Sequence, residues 1–133
     1  MRAALAVTLL AAIGCYTGPS ASNFAPAQGP RGVAVDLQIE RRGGRVRGEL
    51  LELQDQLLLV LRDSSRVVIV PIRAVDVGSF TRVGQLIENG TTTHVDQIRL
   101  LSRYPAGLSP EVRARLLAAY GQTQPDTVGR VTP

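Results

Sequence analysis

Residues 33–54 read VAVDLQIERRGGRVRGELLELQ, and the fold class is decided here. Val33, Val35, Leu37 and Ile39 alternate with Ala34, Asp36, Gln38 and Glu40. A period of two sustained over that length predicts a half-buried strand. Gly43-Gly44 follows, and glycine tolerates the positive φ that the centre of a tight hairpin turn requires. The return strand opens with Val46, Gly48 and Leu50 on one face, then slips phase so that Leu51 and Leu53 become the apolar pair. A slip beside a glycine predicts a bulge or a sharp bend.

Further along, Asp55-Gln56 makes a short turn and LLLVLR, residues 57–62, is a continuously apolar strand. DSSR turns the chain again. VVIVPI, residues 67–72, is a fourth strand, ended by Pro71, which has no N–H for a ladder. AVDVGSF supplies a fifth short strand after a corner at residues 72–74. The predicted class is mainly β with C-terminal helices (α+β): a small five-stranded antiparallel barrel or a strongly bent sheet, plus two short helices. The succession VRGELLEL, an apolar strand, then VVIVPIRAVDVG resembles SH3-like and Sm-like small barrels over residues 33–80. That resemblance implies a bent second strand that lets the sheet close on itself.

Residues 81–121 read as a loop and helices packed on the barrel. Val95, Ile98 and Leu101 recur at helical spacing, with Leu100 widening the stripe. In SPEVRARLLAAYG, Ser109 suits an N-cap, Pro110 the first helical position, Glu111 the positive end of the helix dipole, and Gly121 a stop. Val112, Leu116, Ala119 and Tyr120 form the expected apolar face, with Leu108 beside them. Residues 122–133 are polar and expected to be a disordered tail.

The N-terminus carries an address. In MRAALAVTLLAAIG, Arg2 precedes an apolar run from Ala3 to Ile13 that ends in small residues, the layout of a secretory signal peptide over residues 1–14. The run is about half the ~20 residues of a stable membrane span. AIGC, residues 12–15, resembles the lipobox of bacterial lipoproteins. The resemblance implies cleavage before Cys15 and lipidation of its thiol, and Tyr16 in place of an aspartate after the cysteine implies the outer membrane, facing the periplasm or the surface. Ala12 stands where the family usually has leucine. Residues 15–32 are the lipidated cysteine and a flexible linker, because prolines 19, 26 and 30 and glycines 18, 29 and 32 break regular structure. Such a coil holds the following domain on the order of 20–25 Å from its anchor.

The chain has 133 residues, 44% of them hydrophobic and only 4% aromatic, so the core is aliphatic. All fifteen basic residues are arginine and the formal charge is +4. The eleven acids are interspersed with them, which argues against a dedicated polyanion surface. No enzyme signature stands out: His94 is the single histidine, Cys15 the single cysteine, and no nucleophile elbow or phosphate loop is present. The expectation is therefore no catalytic residue, no cofactor and no metal ligand. Glu49 and Glu52 read as outward polar positions of the bent strand rather than as an acid–base pair. Arg41, Arg42, Arg45 and Arg47 crowd one hairpin and are the candidate anion contact, for a lipid headgroup or an acidic envelope polymer. The competing reading pairs these arginines with Glu40 and Glu49. The expected partners are a membrane, reached through the lipidated cysteine, and an envelope protein, peptide or anionic polymer, with no nucleic acid. An Sm-like nucleic-acid binder with a misread N-terminus is the alternative.

Overall fold

The computed structural model describes residues 31–40, 44–63 and 65–129. The signal peptide, Cys15, nearly all of the linker and Arg41 and Arg42 lie outside the described residues.

The strands are β1 (Ala34–Ile39), β2 (Gly44–Gln54), β3 (Leu57–Arg62), β4 (Val67–Pro71), β5 (Val75–Phe80), β6 (Gly84–Glu88) and β7 (Asp126–Thr127). A 3-10 turn, Ile72–Ala74, makes the corner between β4 and β5. Two helices follow β6: α1 (Val95–Leu101) and α2 (Pro110–Ala119). The fold is mainly β with two short helices, as the alternating and continuous apolar runs predict. The sheet has seven strands in the order β6-β5-β1-β2-β3-β4-β7, and its hydrogen-bond ladder is open. The strand count therefore exceeds the expected five, and among the described residues no ladder joins the two edges into a barrel. β6 and β7 are the additions, and β7 runs parallel to β4 while the other pairings are antiparallel.

β2 carries the bend. Leu50 opposes Val60 and Glu52 opposes Leu59, so Leu51 is the extra residue of a bulge. The slip in the sequence is real, but it splits its leucines: Leu53 stays with Leu50 on one face and Leu51 turns to the other. Gly48, three residues before the bulged Leu51, lies so near β3 that a Cβ there would collide with the Leu61 carbonyl. Both faces of the sheet are consequently apolar. Leu58, Val60, Val68 and Val70 belong to the larger core, together with Val35, Leu37, Val75, Phe80 and Ile87. Leu59 and Val67, of opposite parity, belong to a smaller one.

Each helix covers one face. Ile98 and Leu101 of α1 enter the larger core. Leu117 of α2 is buried against Leu51, Leu59 and Val67, flanked by Leu108, Leu116, Tyr104 and Tyr120. The expected α2 face is thus shifted: Leu117 is its centre, and Ala119 is exposed. Ser109 caps the helix by accepting the Val112 N–H at 3.3 Å, Pro110 is its first residue, and Gly121 lies just beyond it at φ 68°.

The expected disorder from residue 122 onward does not hold for residues 122–129. The buried Gln122 amide clamps Val67, accepting its N–H at 2.8 Å and donating to its carbonyl at 3.0 Å. β7 pairs with Val68 and Ile69, and the Val128 N–H donates to the Ile69 carbonyl at 2.9 Å. Pro71 has no N–H to offer beyond them. The free side of β4 is covered in this way along its length, by a side-chain amide, a two-residue strand and a proline.

Candidate functional site

The β1–β2 hairpin sets Asp36 directly opposite Arg47 and Gln38 opposite Arg45. Asp36 is thereby across from one arginine and diagonal to the other, within reach of both on one face of the sheet. The Arg47 Nε donates to Asp36 Oδ2 at 3.2 Å. The Arg45 Nε sits 3.0 Å from Oδ1, an ion pair without hydrogen-bond alignment. Side-chain exposures are 46% for Arg45, 58% for Arg47 and 36% for Asp36. Contacts so wet contribute about 0–1 kcal/mol each. The carboxylate engages one Nε of each guanidinium and neutralises at most one of the two charges.

Arg62, at the end of β3, joins Arg45 and Arg47 around a shallow open depression that also touches Asp63. A neighbouring cleft of about 480 Å³ holds Arg31, Asp36, Arg47, Glu49, Ser79 and Thr81 on its rim. Arg47 and Asp63 border both hollows, so the two adjoin, with Arg31, Arg45, Arg47 and Arg62 interspersed with Asp36, Glu49 and Asp63. Of the candidate anion contacts, Arg45 and Arg47 are brought together. Their acidic partner is Asp36, in place of the expected Glu40 and Glu49. Asp36 was in reach of sequence reasoning once the hairpin register is counted back from Gly44.

Glu49 and Glu52 are the larger departure. Neither is an outward polar position, because α2 and the chain around it cover that side of the bent strand. Glu49 accepts from Arg103 twice, Nε to Oε1 at 2.7 Å and Nη2 to Oε2 at 2.5 Å, and it accepts the Gly32 N–H at 2.7 Å. The pair is mostly buried, with 16% of the Glu49 side chain and 23% of Arg103 exposed. Its hydrogen bonds to Glu49 raise the basicity of the Arg103 guanidinium above that of an ordinary arginine, outweighing partial burial, which acts the other way. Around this pair the Val33 N–H donates to the Leu101 carbonyl and the Arg103 N–H to that of Leu50, so three separate segments meet at one carboxylate. Glu52 is buried; it accepts the Leu108 N–H at 3.2 Å and stands 3.9 Å from Arg113 Nη2 of α2. Both acids fasten the helical segment to the sheet. The sequence holds no signal for these pairings, since their partners lie more than fifty residues away.

His94 is the exposed N-cap residue of α1 and makes no side-chain capping bond. Among the described residues, no group of three or more histidine, cysteine and acidic side chains is arranged to hold a metal ion. No described helix is long and apolar enough to cross a membrane. Compared with known protein families, curated proteins and solved structures, the chain returns no match.

Proposed function

We propose that the chain is a bacterial envelope lipoprotein: a lipidated Cys15, a flexible leash, and a small domain that binds rather than catalyses. AIGC closing a short signal-like run carries this reading. An unpaired thiol in a secreted protein is otherwise a reactive liability, and lipidation removes it. Several acyl chains at ~0.8 kcal/mol per methylene make attachment effectively permanent. The absence of aspartate after the cysteine favours the outer membrane, facing the periplasm or the surface.

The finer reading of the domain is an SH3-like small-barrel module. It is supported by the bulged β2 and by one core fed from strands on both sides of it. At the expected end of the leash, Gly32 and Val33 are held by Glu49 and Leu101.

Metabolic labelling with a clickable fatty acid tests the proposal. The wild-type chain should be labelled, start at residue 15 by mass spectrometry, and fractionate with membranes; Cys15→Ser should lose the label. A wild-type chain that keeps its first fourteen residues and an unmodified thiol overturns it.

A further inference from the structure

We infer that the arginine surface of β2 and β3 is a docking face for the anionic phospholipid headgroups of the membrane that holds the anchor. This rests on the lipoprotein reading above.

The attachment geometry comes first. Arg31 lines the same cleft as Arg47, and the Gly32 N–H is fixed by Glu49, which shares a face of β2 with Arg45 and Arg47. The chain that leads back to Cys15 therefore leaves the domain beside the arginines. Counting Arg31 itself, sixteen residues follow Cys15 to the first described position. Fully extended they reach roughly 55 Å, and as a coil about 22 Å. A face held that close to a bilayer meets it as an intramolecular partner, so weak contacts suffice.

Charge comes second. Arg31, Arg45, Arg47 and Arg62 face Asp36 and Asp63 on this surface, while Glu49 is already paired with Arg103. Cations remain in excess. Asp36 occupies the Nε positions of Arg45 and Arg47, which leaves their terminal amino groups as phosphate donors. The depression is shallow and open, lined by the charged side chains Arg45, Arg47, Arg62 and Asp63. Phe80, the one aromatic residue among the described residues that line the adjoining cleft, is buried and offers no ring on which nucleic-acid bases could stack. A broad, wet, cationic surface suits a sheet of phosphates.

The test uses the mature chain, residues 15–133, carrying Cys15→Ser so that no lipid confounds it. It is sedimented with vesicles of phosphatidylcholine alone or mixed with phosphatidylglycerol, at low and at physiological salt. Binding should require phosphatidylglycerol and weaken with salt. R45Q/R47Q/R62Q should lower it on the order of a hundred-fold at low salt, from about five-fold per arginine. Asp36→Asn should strengthen it several-fold, which a merely structural role would not do. Arg73→Gln, on the turn between β4 and β5, should leave it unchanged, and melting curves confirm that each variant is folded. Equal binding to both vesicle types, wild-type binding by the folded triple variant, or tighter capture by a single-stranded RNA oligonucleotide each overturns the inference. Fatty-acid labelling is scored separately, so a labelled protein with no preference for phosphatidylglycerol sinks the docking face and leaves the anchor standing.

Discussion

Replacing Glu49 with alanine is expected to loosen the junction of the residues before β1, β2 and the segment after α1 at a single stroke. The substitution removes both Arg103 bonds and the Gly32 contact. It leaves a guanidinium that is 23% exposed without its partner. Breaking a fully buried ion pair costs about 3–5 kcal/mol. Here water can reach part of both side chains, so the expectation falls to about 2–4 kcal/mol. For a domain of this size each kcal/mol corresponds to about 4–8 °C, so melting should drop by roughly 8–32 °C. Circular dichroism reads the melt. Hydrogen exchange should find the Gly32 and Val33 amides opening faster, while β3 amides change only as global stability does. A double-mutant cycle with Arg103→Met isolates the pair and should return a coupling of about 1–3 kcal/mol. A melting point within about 3 °C of wild type, or a coupling below about 0.5 kcal/mol, would refute the view that this carboxylate joins the three segments.

Gly48→Ala should cost about 3 kcal/mol by urea denaturation, because the new methyl meets the Leu61 carbonyl inside a paired ladder rather than a yielding side chain; a loss under about 1 kcal/mol would contradict this. Gln122→Ala strips the Val67 N–H and carbonyl of their partners, so it should lower stability by about 2–4 kcal/mol and produce dimers or larger species in light scattering. The pH response of Arg103 has a definite sign. A cation made more basic by folding stabilises fully below its ordinary range and loses that contribution only above it, so wild type should show no alkaline loss from this pair below about pH 11. Arg103→Lys brings the unfolded-state titration down to about 10.4, so its melting point should fall progressively further behind wild type as pH rises above about 10, and parallel curves would count against the pairing.

How far the sequence alone carries differs by element. β1, β3 and β4 are legible because each buries a complete apolar register over five or six residues. The corner at Ile72–Ala74 and the start of α2 are legible because proline and serine act locally. β6 is not: only Leu86 and Ile87 mark it, and its strand character comes from lying beside β5 after the turn. β7 is two exposed residues whose conformation is imposed entirely by β4. Glu49 and Glu52 mislead for a related reason. Parity correctly separates them from the larger core, but parity cannot say that a second layer waits on the other side. The Asp36 contact could have been reached, since hairpin register is a local property. The placement of Arg103 against β2 depends on how the chain returns after α1, and no local pattern encodes that.

Val33 leads directly into β1, and β1 lies between β2 and β5 rather than at a margin of the sheet. A tug applied from the N-terminal side would thus be resisted by two ladders sheared together, not by one strand unzipping bond after bond. Force entering at that end is therefore shared across the interior of the sheet rather than borne by one of its edges.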